Sequence, residues 1–259
     1  MSNQVTFTGV NSQIGKYFQG DYNYQSYDIN NKDTWTKLYQ SEVVFLLLPK
    51  TNNVLDLTKE FILGSLGTNL KQIIKIGSLG PWRLIHKQID AFMAESHLAY
   101  TSFDIAPLMN NIFTEQYDRT KGILLDYRFK NPAPYLDPVA LAMAIEKSVG
   151  VPKHFNKNYA CTGGTQYTID QVKKILESKG YPVNKIQQTT NGKIHSMDNS
   201  TLDFVLMDRI AERYKTENWY PPVSTDLYDC FGAHNRALSQ FIDEDKGIFT
   251  QNFDNDRNL

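Results

Sequence analysis

Apolar residues follow two alternating patterns along the first part of the chain. In one pattern they form short runs without polar alternation, at residues 5–8, 42–49, 72–80 and 98–108. Such runs are typical of strands that are buried on both faces, as in a parallel sheet. In the other pattern they recur at helical spacing, at residues 54, 57 and 61 and again at 85, 89, 92 and 93. Strands that alternate with helices predict right-handed βαβ units, and therefore an α/β protein with an open parallel sheet flanked by helices.

The second part of the chain has a less regular pattern but clear helix boundaries. An N-cap at Asp137 followed by Pro138 predicts the start of a helix, and Gly150 predicts its end. A capping box formed by Thr168 and Gln171 predicts the start of the next helix. The sequence therefore places two well-bounded helices after the alternating region.

Further helical patterns cover 202–214 and 227–241. No linker rich in Pro, Gly or Ser separates the two parts of the chain. We therefore predict one compact unit over 1–259, with the α/β core in 1–150. Residues 151–259 are expected to form a small mixed substrate-side part and the C-terminal helices, over the carboxyl ends of the strands.

The charge balance excludes several classes of partner. The chain holds 27 Lys and Arg against 28 Asp and Glu, for a formal net charge of -1, so no global basic field attracts nucleic acid or an anionic membrane. The longest apolar run, VVFLLLP, is far shorter than the roughly 18 residues of a membrane-spanning helix. No His or Cys spacing is typical of a metal site. We expect a cytoplasmic protein with a small-molecule substrate, no metal, and an oligomeric state that the sequence leaves open.

The first strand ends in a turn that resembles a phosphate-binding turn. The sequence there is TGVNSQIG, with Gly9 and Gly15 at the outer positions of a G-x-x-G-x-x-G arrangement and Ser12 at its centre. Glycines let the backbone approach a pyrophosphate, and a following helix supplies oriented N–H groups. The Cβ of Ser12 stands where that close approach is needed. The turn therefore fits both a nucleotide site and an ordinary connection without a ligand.

The spacing after this turn bears on the cofactor. A dinucleotide unit has a helix and a second strand, followed by a ribose-binding residue roughly 20 residues after the last glycine. Only twelve residues lie between Gly15 and Asp28. Either Asp28 binds the ribose after a shortened helix, or most of the helix and the second strand are absent. We favour the second alternative, which removes the adenosine half of the site and predicts that no cofactor binds.

Eight blocks follow one another along the chain: TGVNSQIG, YDINNKDTW, VVFLLLP, IIKIGSLG, HKQIDAF, AYTSFDIAPLMNN, YLDPVALA and YACTGGTQYTIDQV. In this order they resemble the NmrA-like atypical short-chain dehydrogenase/reductase family, and its ergot-alkaloid reductase-like branch around D-T-W. The resemblance covers residues 3 to about 190 and implies a Rossmann-like fold. It also implies either reduction of a quinone, imine or enone with NAD(P)H, or a regulator that binds the nucleotide without turning it over.

The chain departs from the family pattern at the adenosine and pyrophosphate end and keeps more of it at the nicotinamide end. Ser12 replaces the central glycine, and the segment of the second strand is mostly missing. Asp104 and Ile105 stand where the family commonly has Arg-Pro, which reverses the charge beside the expected pocket. Ser78, Leu79 and Gly80 after one strand, and Asn110 after the next, are retained. The resemblance therefore implies substrate binding by Leu79, Gly80 and Asn110.

His86 and Asp90 form a candidate acid–base pair. They lie one turn apart on one face of a predicted helix. An imidazole that titrates near neutrality and is held by a carboxylate can act as a general acid or base. The alternative is an exposed histidine with an ordinary ion pair. The family match favours the functional interpretation, although the Tyr-x-x-x-Lys pair of ordinary short-chain dehydrogenases is absent.

Asp104 and Ser78 complete the predicted catalytic set. Asp104 interrupts an apolar strand near its carboxyl end, where open α/β sheets bind ligands. Burial there would raise its pKa and make it a proton acceptor or a counter-ion; it could equally cap a turn. Ser78 could bind a substrate carbonyl or satisfy its own turn.

Three functions are compatible with these residues. The favoured one is a small-molecule enzyme that needs no cofactor and catalyses proton transfer, cyclisation or isomerisation with His86, Asp104 and Ser78. The second is an NADP- or NAD-dependent reductase of an imine, enone or quinone, with cofactor contacts at Gly9, Ser12, Gly15 and Asp28. The third is a non-catalytic small-molecule sensor.

Overall fold

The computed structural model describes residues 5–8, 12–20, 22–25, 27, 29–48, 53–80, 83–126, 131–188 and 221–245. The chain divides into two compact units. The first comprises Met1–Ala106, Pro138–Cys161 and Ser224–His234, and the second comprises Pro107–Asp137, Thr162–Val223 and Asn235–Leu259. The expected boundary at residue 150 does not coincide with this division, because segments of the two units alternate along the chain.

The described residues form the following strands and helices. The strands are β1 (Val5–Thr8), β2 (Asn23–Gln25), β3 (Val43–Leu46), β4 (Gln72–Ser78), β5 (Ala99–Ile105), β6 (Tyr117–Asp118), β7 (Ile123–Asp126), β8 (Lys157–Cys161) and β9 (Lys185–Gln188). The helices are α1 (Trp35–Leu38), α2 (Val54–Ser65), α3 (Arg83–Glu95), α4 (Pro138–Ser148), α5 (Ile169–Ser178), α6 (Asp226–Phe231) and α7 (Leu238–Glu244).

A six-stranded sheet forms the centre of the first unit, in the order β2-β1-β3-β4-β5-β8, and all its neighbouring strands are parallel. Residues of β3, β4 and β5 pack with those of α1, α2 and α3 in one apolar core, which contains Val44, Leu46, Ile73, Tyr100, Trp35, Phe61 and Ile89. This is the Rossmann-like α/β fold that the alternating pattern predicts. The four strands expected from apolar runs are all confirmed.

The second strand is present, which corrects the favoured interpretation of the segment after Gly15. β2 pairs in parallel with β1, with Phe7 opposite Tyr24. The helix between these strands is reduced to one 3₁₀ turn, Gly15–Tyr17. The rings of Phe18 and Tyr22 pack on Phe7, each with ring centroids 4.4 Å apart. β2 thus follows β1 after a shortened helix, because a three-residue strand needs far less chain than a complete βαβ unit. Ribose binding by Asp28, the other part of that alternative, stays a prediction.

A side chain of α4 holds this short connection. Glu146 Oε1 accepts hydrogen bonds from the backbone N–H groups of Gln19 and Gly20, both at 2.8 Å. Hydrogen bonds to a carboxylate are stronger than those between neutral groups. The path of the chain into β2 is thus fixed by a residue that lies far away in the sequence.

The C-terminal helical pattern over 227–241 corresponds to two helices. Gly232 follows α6 in the left-handed conformation, with φ of 60°, and its N–H donates to Tyr228 O at 2.8 Å. A glycine in this conformation ends a helix without steric cost, so α7 starts separately at Leu238. The predicted helix over 202–214 lies outside the described residues.

The second unit contains a small mixed sheet, as the sequence predicts. β7 pairs antiparallel with β6 and parallel with β9. Its apolar core joins a five-residue π-helical segment, Ile112–Gln116, to α5 and α7. The predicted capping box is confirmed, since Thr168 and Gln171 exchange their side-chain and backbone hydrogen bonds.

Candidate functional site

The strand order reverses between β1 and β3. The chain leaves β1 towards β2 on one side and later continues with β3 on the other. Open α/β sheets bind ligands beyond the carboxyl ends of their strands at such a switch point. Thr8 ties the two strands together there, because its Oγ1 donates to Phe45 O and accepts from the N–H of Leu47, both at 3.0 Å.

The turn that follows β1 is closed by its own serine. Ser12 Oγ accepts from the N–H of Gly15 at 3.2 Å, and Ser12 O accepts from the same N–H at 3.1 Å. The hydroxyl thus stabilises the turn that the sequence analysis identified. Two other predicted cofactor contacts, Gly9 and Asp28, lie outside the described residues.

The turn after β4 contains the three residues that the family resemblance singles out. Ser78 Oγ accepts from the N–H of Gly80 at 2.9 Å, while the N–H of Leu79 donates to Ile105 O at 3.0 Å. Leu79 is buried and Ser78 is half-buried. Ser78 therefore satisfies its own turn as an acceptor, and its O–H group can still donate to a ligand.

A row of charged side chains lies between α3 and the adjoining strands. Lys75 Nζ is 2.9 Å from Asp90 Oδ1, and Lys87 Nζ is 3.2 Å from Asp104 Oδ2. Asn158 Nδ2 donates to the other Asp90 oxygen at 2.6 Å. Burial lowers the pKa of Lys75, and burial raises the pKa of Asp104 although both lysines oppose that rise. Buried titratable groups with perturbed pKa values near the carboxyl ends of strands are typical of functional sites.

Gly77 makes room for this row. It lies opposite Asp104 in the pairing of β4 with β5. A Cβ at Gly77 would stand 2.0 Å from Asp104 Oδ1 and 3.3 Å from Lys75 Nζ. Any larger residue at position 77 of β4 would collide with the carboxyl group of Asp104, so this position requires glycine.

His86 does not have the environment that the sequence predicts. Its expected partner, Asp90, binds Lys75 and Asn158 instead. Burial, and to a smaller extent the charge of Lys75, lowers the pKa of His86 to about 3. The ring is therefore neutral at pH 7, and its buried Nδ1 has no hydrogen-bond partner among the described residues. The hypothesis of an imidazole that titrates near neutrality has to be replaced by that of a neutral ring.

This pKa predicts a dependence of stability on pH. Below about pH 6.5 the unfolded chain binds a proton at His86 that the folded chain does not bind, so stability decreases as the pH falls. Between pH 7.5 and 5, the wild type should lose about 2 kcal/mol more of its free energy of unfolding than His86→Asn. The measurement is urea unfolding at both pH values. His97→Asn is the control, since His97 is exposed. If the wild type and His86→Asn lost the same free energy of unfolding, the lowered pKa of His86 would be contradicted.

The remaining predicted residue, Asn110, belongs to the second unit. It is buried, and its backbone oxygen accepts from the N–H of Phe113 at 3.0 Å and from Thr114 Oγ1 at 3.2 Å. It therefore stands at the start of the π-helical segment. Its role in substrate binding stays a prediction.

The structure adds Lys75, Lys87 and Gly77 to the residues found from the sequence. The signal for Lys75 was a single charge inside the apolar strand QIIKIGS, and that for Lys87 was its position next to His86. Neither signal identifies a partner, because the partners come from other strands and helices.

Metal-binding clusters and membrane-spanning helices are both absent from the part of the chain that the structure describes. No group of three or more His, Cys, Asp or Glu side chains there could hold a metal ion. No helix there is both long and apolar enough to cross a membrane.

Comparison with known proteins finds similarity at the level of structure. No family model and no curated protein matches the sequence. The triphenylmethane reductase of Citrobacter sp. complexed with NADP(H) is 14% identical, with a TM-score of 0.71 over 93% of this chain and 99% of that one. The NADPH-dependent quinone oxidoreductase of Escherichia coli complexed with NADPH is 14% identical, with a TM-score of 0.70 over 93% and 99%. NmrA, a negative transcriptional regulator, is 11% identical, with a TM-score of 0.72 over 95% and 97%.

These findings correct the expectation that no cofactor binds. That expectation rested on the loss of the second strand, which is present, and two of the similar structures are complexes with NADP(H) or NADPH. The prediction of cofactor-independent proton transfer, cyclisation or isomerisation therefore has no support from these similar structures. The resemblance of the sequence blocks is confirmed at the level of architecture: this chain has the Rossmann-like fold that NmrA shares with the two NADPH-binding reductases.

Proposed function

We propose that the protein is an NAD(P)H-dependent reductase of a small organic molecule with an imine, enone or quinone group. The observation that carries this proposal is the pairing of β2 with β1, since β2 lies on the side of the switch point where an adenosine group would bind. The similar structures that hold NADP(H) or NADPH support it.

The residues present fit a dinucleotide at both ends of the crevice. The turn from Ser12 to Gly15 would face the pyrophosphate, with fewer oriented N–H groups than a complete helix provides. Near the carboxyl end of β4, His86 Nδ1 is a buried atom without a hydrogen-bond partner among the described residues, as expected where a polar ligand completes a site. A reduced nicotinamide, when bound, supplies a hydride.

The side chains near β4 would then orient and polarise the substrate. The Ser78 hydroxyl can donate to a carbonyl oxygen while it still accepts from Gly80. The neutral His86 ring can hydrogen-bond without adding charge. Asp104 holds the ammonium group of Lys87 at 3.2 Å. Leu79 and Gly80 remain the proposed substrate contacts of the first unit, and the predicted role of Asn110 concerns the second unit alone.

A charge introduced into the first turn tests where the cofactor binds. We expect Ser12→Glu to weaken NADPH binding at least tenfold, which is about 1.4 kcal/mol, because a carboxylate beside the turn repels the pyrophosphate. Calorimetric titration with NADPH and NADH measures the effect. Ser178→Glu adds the same charge at the exposed end of α5 in the second unit and should bind as the wild type does.

Turnover is tested with the wild type by following NADPH oxidation with menadione, an enone and a cyclic imine as acceptors. Oxidation of NADPH that depends on one acceptor is the expected result. Binding of NADPH without turnover of any acceptor would favour the sensor. Absence of binding by either reduced nucleotide would overturn the proposal.

A further inference from the structure

Lys87 is the member of the charged row that reaches solvent. Its side chain is 43% exposed, whereas those of Lys75, Asp90 and Asp104 are 0%, 6% and 5% exposed. It lies near the start of α3, which begins just after the carboxyl end of β4. Its ammonium group therefore stands at the edge of the sheet where a ligand of this fold binds.

The geometry leaves Lys87 free to donate to a ligand. An ammonium group has three N–H donors, and the carboxylate that Lys87 contacts among the described residues is that of Asp104. The other oxygen of that carboxyl group, Oδ1, is buried and packs against β4, because a Cβ at Gly77 would stand only 2.0 Å from it. The position of Lys87 thus follows from a fixed, buried support.

The other groups of the row are less suited to give a proton to a substrate. Lys75 is fully buried and paired with Asp90. Because the pKa of His86 is lowered, its ring is not an imidazolium at neutral pH and has no acidic proton to transfer. One oxygen of Asp104 is covered by Lys87 and the other lies against β4.

We propose that Lys87 is a further catalytic residue, the proton donor to the substrate heteroatom, and that Asp104 is the positioning residue that holds it. This inference rests on the proposed reductase function. In the reduction of a carbonyl group, a bound reduced nicotinamide would supply the hydride that forms the new C–H bond and would itself be oxidised by two electrons. The oxygen gains a proton from Lys87, so an N–H bond breaks and an O–H bond forms. The neutral amine then recovers a proton from water.

The test compares three variants at position 87 with a matched control. Lys87→Met should lower kcat for the best acceptor at least a hundredfold, in the range typical of the loss of a general acid, and should leave NADPH affinity unchanged. Lys87→Arg should retain part of the rate, because a guanidinium group can still donate a hydrogen bond. Lys87→Ala should regain rate when ethylamine is added, a response that a purely structural role would not produce.

Lys71→Met is the control because it removes a lysine from an exposed ion pair with Glu42, at the amino-terminal end of β4. It should turn over as the wild type does. A rate for Lys87→Met within threefold of the wild type, or a loss that ethylamine does not reverse, would overturn the assignment of Lys87 alone. A wild type that binds no reduced nucleotide would overturn the proposed function, and this inference with it.

Discussion

Replacement of Lys75 by methionine is expected to lower the free energy of unfolding by about 3–5 kcal/mol. The ammonium group is fully buried and lies 2.9 Å from Asp90 Oδ1. Methionine fills much of the same volume, so the loss comes mainly from the carboxylate that remains buried without its counter-charge. Urea unfolding at pH 7.5, followed by circular dichroism, measures the change.

Adding Asp90→Asn to Lys75→Met separates the contribution of charge to the loss of stability from that of packing. Lys75→Met combined with Asp90→Asn leaves no net charge in the inner pair, and the new amide oxygen can still accept from Asn158 Nδ2, which now bonds Asp90 at 2.6 Å. The double variant should therefore be more stable than Lys75→Met by about 2 kcal/mol or more, a coupling expected for contacting residues. Lys71→Met, which breaks an exposed ion pair, should cost less than about 1 kcal/mol. If the double variant were no more stable than the single one, packing and not charge would explain the loss.

Gly163→Ala is expected to destabilise the second unit by about 3 kcal/mol, at the upper end of the usual cost of overpacking. A Cβ at Gly163 would stand 2.0 Å from Tyr135 O and 2.9 Å from the carbon of the same carbonyl group. The obstacle is backbone, which cannot rotate away as a side chain can. The N–H of Gly163 also donates to Pro134 O at 3.0 Å, so the two segments are joined at this point.

The adjacent glycine provides the control for this prediction. A Cβ at Gly164 would meet no atom within 4 Å, so Gly164→Ala should change the free energy of unfolding by less than about 0.5 kcal/mol. Urea unfolding of both variants, followed by near-ultraviolet circular dichroism of the tyrosines, measures the difference. Equal stability of the two variants would contradict the close approach of Gly163 to Tyr135.

The charged row beside α3 shows which parts of the candidate site can be predicted from the sequence and which cannot. Burial of Asp104 near a strand end follows from its apolar neighbours, and the sequence places it there. The pairing of Asp90 could not be predicted in the same way. Its position one turn from His86 suggests one partner, but the helix turns it towards β4 and β8, where Lys75 and Asn158 lie.

The sequence by itself determined the elements with long periodic patterns: the apolar strands β1, β3, β4 and β5, the helices α2 and α3, and the capping box of α5. It determined the α/β class for the same reason, because local periodicity reports which faces are buried. Tertiary structure alone decided the rest. A strand of three residues such as β2 has no period of its own and exists through its hydrogen bonds to β1. The protonation of His86 and the place of Lys87 likewise depend on groups that are distant in sequence, whose burial and charge only the folded chain brings together.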